Sequence, residues 1–95
     1  MSSTKITNKK LPKWFNGEHY SHGETVTNPF NGESYELNGT ELSMYDFIMG
    51  AQMTFAVHQE TQPNKPISGK LIKDFEKGLY WFRTNNAEGY RILLD

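Results

Sequence analysis

The chain has 95 residues and a mass of 11.0 kDa, which suffices for one domain and is too small for a large enzyme with several sites. Ten Lys and Arg against eleven Asp and Glu give a net charge of −1, which excludes the strongly basic classes of nucleic-acid-binding protein. The lack of cysteine excludes disulfide frameworks, thiolate zinc sites and cysteine nucleophiles.

The first ten residues are polar, and we expect residues 1–10 to form a flexible arm ahead of a single α+β domain over residues 11–95. The arm has no apolar run of the length that a secretory signal needs. The longest apolar stretch, residues 42–57, contains Asp46 and Gln52 and is shorter than the roughly 20 residues of a bilayer span. We therefore expect a cytoplasmic protein without a membrane contact.

Asn-Gly pairs divide the segment before residue 38 into short strands. Such a pair favours a type I′ hairpin turn, and the sequence FNGEHY at 15–20 recurs as FNGESY at 30–35. The segment predicts a small N-terminal antiparallel β-meander, with strands at about 12–15, 18–21, 25–29 and 33–37 and a last turn at 38–39. We interpret the repeat as two good turn sequences, and a duplicated binding unit is the alternative.

Apolar residues follow helical spacing from Thr40 onward, and a helix is predicted over 41–59 with Thr40 or Ser43 as its N-cap. Two nearly opposite faces of this helix are apolar. One carries Met44, Phe47, Ile48, Ala51 and Phe55, and the other carries Leu42, Tyr45, Met49, Met53 and Ala56. We expect a homodimer formed through this helix, because so short a chain has few elements to cover it. The alternative is cover by the meander on one side and a second helix on the other.

Pro63 and Pro66 separate this helix from a second, antiparallel helix that apolar spacing predicts over 67–84. Glycines at 50 and at 69 or 78 indicate close approach where helices cross. Residues 90–94 predict a short C-terminal strand.

Charge is unevenly distributed along the chain. Seven acidic residues and no Lys or Arg lie between Trp14 and Asn64, whereas residues 1–13 and 65–95 carry all ten bases. An acidic meander would complement a basic helix or arm, within one molecule or between copies. Solvated faces that happen to cluster are the alternative.

Few residues have a spacing suited to catalysis. His19 and His22 lie close to Glu18 and Glu24, and imidazole and carboxylate groups together can bind a metal ion. Positions i and i+3 of a strand, however, point to opposite faces, so the two imidazoles would not converge on one ion. We therefore expect two ordinary surface histidines. The sequence has no nucleophile elbow and no phosphate-binding loop. We expect no metal, no cofactor, no catalytic residue and no enzyme activity.

Lys70, Lys73 and Lys77 share one stripe of the second helix with Tyr80 and Trp81. Basic side chains beside aromatic rings hold phosphates and stack bases, so Lys73, Lys77 and Trp81 are candidates for a contact with single-stranded nucleic acid. The stripe also fits a protein contact, with lysine stems along the rings, and this interpretation is favoured. The contact with a partner or a second copy is assigned to Tyr45, Met49, Met53, Tyr80 and Trp81.

Residues 26–53, VTNPFNGESYELNGTELSMYDFIMGAQM, resemble short uncharacterised proteins of marine cyanobacterial phages and related uncultured marine sequences. An N-P-F-x-G-E turn, an E-L pair and the helix start E-L-S-M-Y-D-F-I-M-G carry the likeness. The resemblance implies a small accessory protein in the host cytoplasm and assigns no activity, cofactor or site. The whole sequence predicts a non-catalytic interaction or accessory protein, with a host or virion protein as a further partner.

Overall fold

The computed structural model describes residues 10–95, so the predicted arm lies outside the described residues except for Lys10. The fold is of the α+β class. Its elements in chain order are β1 (Glu24–Thr27), β2 (Ser34–Leu37), α1 (Gly39–Thr61), α2 (Gly69–Asn85) and α3 (Ala87–Leu93). The two strands form one antiparallel sheet, and both long helices are confirmed to within two residues of their predicted ends. In the described part of the chain, no helix has the length and apolar character needed to cross a membrane.

Helix α1 begins with a capping box. The Asn38 side-chain oxygen accepts a hydrogen bond from the Glu41 N–H at 2.8 Å, and a Glu41 carboxylate oxygen accepts one from the Asn38 N–H at 3.0 Å. The box satisfies backbone donors that a helix start leaves free. The predictions of a cap at Thr40 or Ser43 and of a turn at 38–39 are therefore wrong.

Two of the four predicted strands, at 12–15 and 18–21, are absent. The Trp14 and Phe15 rings instead pack edge-on against Phe47 of α1, with centroid distances of 5.8 and 5.7 Å. The Tyr20 N–H donates to the Ser43 hydroxyl at 2.8 Å. Helix α1 thus provides the apolar cover and a hydrogen bond that a neighbouring strand was expected to provide.

The loop between β1 and β2 is longer than a two-residue type I′ turn. The Asn28 N–H donates to the Glu33 carbonyl at 2.8 Å, so four residues form the loop. Gly32, with φ of 77°, is the one residue between 10 and 95 with a positive φ. Asn31 keeps a negative φ and accepts the Glu33 N–H on its side chain at 2.8 Å. The predicted I′ turns at 16–17 and 31–32 are therefore not formed.

The predicted strand at 90–94 is also wrong, because these residues belong mainly to α3. The Asn86 side chain caps this helix and accepts the Gly89 N–H at 3.0 Å. Gly89 and Leu93, four residues apart, are both buried on one face of the helix. A helical turn buries this pair together, whereas a strand of the same sequence would alternate between two faces.

The core lies where α1 crosses α2. Its buried apolar residues are Phe15, Leu37, Met44, Ile48, Phe82 and Leu93. A Cβ atom added to Gly78 would lie 3.1 Å from the Met44 sulfur and 3.4 Å from an Ile48 carbon, which confirms the close approach predicted at this glycine. Gly50 and Gly69 face open space among the described residues, so neither lies at the crossing of α1 and α2.

Glu41 links three parts of the fold. Its side chain accepts a hydrogen bond from the Asn86 amide at 3.0 Å, and the Tyr35 hydroxyl donates to the same Asn86 at 3.1 Å. Glu41 is only 7 % exposed. A single buried carboxylate therefore connects the start of α1 to the α2–α3 turn and, through Asn86, to β2.

We predict that Glu41→Ala lowers the free energy of unfolding by about 2 kcal/mol, because it leaves the Asn38 N–H and the Asn86 amide without an acceptor in a nearly closed site. Urea denaturation measures the loss. The matched control, Glu60→Ala in the exposed last turn of α1, should change stability by less than about 0.5 kcal/mol. Equal losses in the two variants would contradict this role of Glu41.

Candidate functional site

An open groove of about 420 Å³ lies between α2 and the segment that precedes β1. Its lining residues are Pro12, Trp14, Glu76, Lys77, Tyr80, Trp81 and Thr84. Trp14 is held in place by its edge-on contacts with Phe15 and Phe47. The Lys77 ammonium lies 5.7 Å from the centroid of the Trp14 ring, within the range of a cation–π interaction.

A second depression of about 550 Å³ continues the groove toward the start of α2. It shares Trp14 and Lys77 with the first and adds Gly69, Lys70, Lys73 and Asp74. The two depressions together are named the α2 groove. One end of the α2 groove is therefore aromatic, and the other end carries lysines.

The α2 groove as a whole has little net charge. The Lys70 ammonium donates to the buried Asp74 carboxylate at 2.7 Å, so this lysine is already paired. Glu76 adds a second carboxylate to the lining. The three lysines at positions 70, 73 and 77 against these two acids leave one net positive charge.

A different surface carries the predicted contact residues of α1. Tyr45, Met49, Met53 and Val57 follow one another at intervals of four residues and are named the α1 stripe. Met53 is 68 % exposed and Val57 is 53 % exposed, whereas Tyr45 and Met49 are half-buried. None of these four residues lines the α2 groove, so the five predicted contact residues lie on two separate surfaces.

A third concavity, of about 650 Å³, lies between residues 19–27 and α1. His19 and His22 line it, but His19 packs edge-on against Phe15 at 5.2 Å and His22 hydrogen-bonds the Ser21 hydroxyl at 3.0 Å. Among residues 10–95, no group of three or more His, Asp or Glu side chains is arranged to hold a metal ion.

Two tyrosines of this concavity hold their protons more tightly than usual. Burial raises the pKa of Tyr45 above 10.0, and partial desolvation followed by the nearby Asp46 carboxylate raises the pKa of Tyr20 above the same value. Both phenols are therefore neutral at pH 7.

Only part of the α2 groove is predictable from the sequence. The predicted stripe of the second helix includes Lys73, Lys77 and Trp81, and in the structure all three line the groove. Trp14 is absent from the prediction because it lies far away in the chain, in a segment predicted as a strand. Phe30, at a predicted turn, is absent from the predicted contact residues and is 94 % exposed at the tip of the β1–β2 loop.

No protein-family model, curated protein or solved structure matches the chain.

We predict that stability falls as the pH rises above 10, and falls less in Tyr45→Phe. The unfolded phenol ionises near pH 10.0, while burial keeps the folded phenol protonated, so deprotonation favours the unfolded chain above that pH. Urea denaturation of the protein and the variant at pH 8 and in steps above pH 10 measures the difference. Parallel stability curves for the two proteins would contradict the buried environment of Tyr45.

Proposed function

We propose that the protein is a non-catalytic interaction protein that forms a homodimer through the α1 stripe. The exposure of Met53 and Val57, one turn apart on the same long helix, is the observation that carries this proposal. A row of exposed large apolar side chains is typical of a protein interface. Residues spaced by four along a helix also form the ridge that packs into the groove of a second helix.

Gly50 supports a second copy as the occupant of this face. This glycine is exposed beside the α1 stripe, and a Cβ atom added there would meet nothing within 4 Å. Glycine inside a helix costs about 1 kcal/mol relative to alanine, and no residue between 10 and 95 uses the space that it leaves. A helix from a second copy that crosses at Gly50 would use it.

The acidic character of α1 does not oppose such a dimer. In a two-fold antiparallel crossing centred on Gly50, the Asp46 side chains of the two copies would be about 12 Å apart along the helix axis. That separation exceeds the Debye length of about 8 Å at physiological ionic strength, so their repulsion would be largely screened.

The wider role that we propose is that of an accessory protein in the cytoplasm of a phage-infected host. The resemblance of residues 26–53 to small phage proteins supports this role. A host or virion protein is the further partner. The second candidate, binding of single-stranded nucleic acid, depends on Lys73, Lys77 and Trp81 and is favoured by their position in one groove with Trp14.

We predict that sedimentation equilibrium at micromolar concentration gives twice the chain mass of 11.0 kDa, and that Met53→Glu returns the mass to 11.0 kDa. The variant places a charge in the apolar interface, and it should remain folded because Met53 is largely exposed in one copy. The matched control is Gln52→Glu, which adds the same charge on a neighbouring exposed position outside the stripe.

The control should remain dimeric. A wild-type protein that sediments at the mass of one chain, or a Met53→Glu variant that remains a dimer, would contradict the proposed interface.

A further inference from the structure

We infer that the β1–β2 loop of one copy docks into the α2 groove of another copy. In this contact Phe30 occupies the aromatic end of the groove and Glu33 pairs with its lysines. The contact is separate from the α1 stripe and gives the protein a second interaction surface. Four observations support it: the presentation of Phe30, the spacing of the partners, the distribution of charge and the internal repeat.

Phe30 is presented to solvent by an ordered loop. It is 94 % exposed, yet its N–H donates to the Asn28 side chain at 2.8 Å. The Asn28 amide in turn donates to the Ile92 carbonyl at 2.9 Å, so the base of the loop is fixed to α3. An aromatic side chain on a preorganised loop loses little conformational entropy on binding, which is the usual property of an interface anchor.

The spacing of the two groups on the loop matches that of the groove. Lys77 and Lys73 lie four and eight residues before Trp81 on α2, or about 6 and 12 Å along the helix axis. Glu33 follows Phe30 by three residues, which is at most about 10 Å of chain. With Phe30 against Trp81, Lys77 therefore lies within reach of Glu33, and Lys73 lies one helical turn farther along α2.

Charge favours a protein occupant of this kind over nucleic acid. Residues 14–64 carry seven acids and no Lys or Arg, so the loop and its strands are uniformly acidic. The α2 groove has one net positive charge, since Lys70 is paired with Asp74 and Glu76 faces the lining. One carboxylate is well matched to such a site, whereas tight binding of a nucleic-acid backbone needs several free cations.

The internal repeat provides a precedent within the chain. The first copy of F-N-G-E places Phe15 edge-on against Phe47, with ring centroids 5.7 Å apart, in an aromatic cluster that also contains Trp14. The second copy, which begins at Phe30, has no such contact among residues 10–95. Trp14 also lines the α2 groove, so the same tryptophan would receive the second phenylalanine from a neighbouring molecule.

The contact joins two different surfaces, so it is a head-to-tail contact that either closes into a ring or extends into a chain of molecules.

The test of this contact uses Met53→Glu as the background variant. This substitution abolishes the proposed dimer contact through the α1 stripe, so any remaining self-association is independent of that dimer. The tip variant adds Phe30→Ser, and the groove variant adds Lys73→Glu and Lys77→Glu. All of these changed side chains are exposed, and circular dichroism confirms that each variant is folded.

Sedimentation velocity over a range of concentrations is the measurement. The background protein, which is a monomer at micromolar concentration, should self-associate as the concentration is raised toward the millimolar range, and the tip and groove variants should each self-associate at least about tenfold more weakly. An equimolar mixture of the two variants should form a one-to-one complex and nothing larger, because only the loop of the groove variant and the groove of the tip variant remain intact. Lys65→Glu, which reverses an exposed lysine outside the groove, should have no effect.

Any one of three results would overturn the inference: a background protein that stays monomeric at all concentrations, a tip variant that associates as strongly as the background, or a mixture of the two variants that stays monomeric. Binding of an oligothymidylate at low salt that is lost in the groove variant and kept in the tip variant would assign the α2 groove to nucleic acid instead. None of these results depends on whether the α1 stripe forms a dimer.

Discussion

The close crossing of α1 and α2 at Gly78 determines which surfaces the rest of the chain can cover. Met44 and Ile48 of α1 pack against this glycine, and the remaining core residues collect around the same crossing. Helix α1 has 23 residues and is about 34 Å long, whereas the sheet and α3 contribute only short elements. The buried residues of α1 are Glu41, Ser43, Met44, Ile48 and Ala51, so they all lie in its N-terminal part, and Met53 and Val57 beyond them are exposed. The α2 groove is formed because Trp14 packs beside α2 against Phe47.

The junction at Glu41 and Asn86 fixes the elements that carry these two surfaces relative to one another. Glu41 caps α1 and accepts the Asn86 amide, and Asn86 caps α3 and accepts the Tyr35 hydroxyl. Helix α3 then holds the β1–β2 loop through the hydrogen bond between Asn28 and Ile92. Two groups of hydrogen bonds, joined by helix α3, thus connect the start of the longest helix to the loop that presents Phe30.

Much of the helical framework was predictable, because α1 and α2 have long apolar repeats that a helix alone explains. The start of α1 was also readable in principle, since Asn38 followed by Glu41 at the third helical position is a capping box, although Asn-Gly equally suits a turn. The apolar run at 90–94 is too short to distinguish a strand from a helix, and its decisive signal was the cap at Asn86. The strand predictions at 12–15 and 18–21 are wrong for a different reason, which is contact with residues of α1 that are distant in sequence. Trp14 and Phe15 pack against Phe47, and the Tyr20 N–H donates to the Ser43 hydroxyl. The same long-range contact of Trp14 explains why sequence spacing does not predict the side of the α2 groove that Pro12 and Trp14 form.

Oxidation of the methionines at different protein concentrations tests the central claim, that a second copy covers the exposed face of α1, most directly. Met44 is fully buried and serves as an internal reference, whereas Met53 is 68 % exposed in one copy. The account predicts that peroxide converts Met53 to its sulfoxide quickly in dilute solution and more slowly as the concentration rises, while Met44 reacts slowly throughout. Mass spectrometry of the two peptides measures both rates. A Met53 oxidation rate that is the same at every concentration would contradict the account.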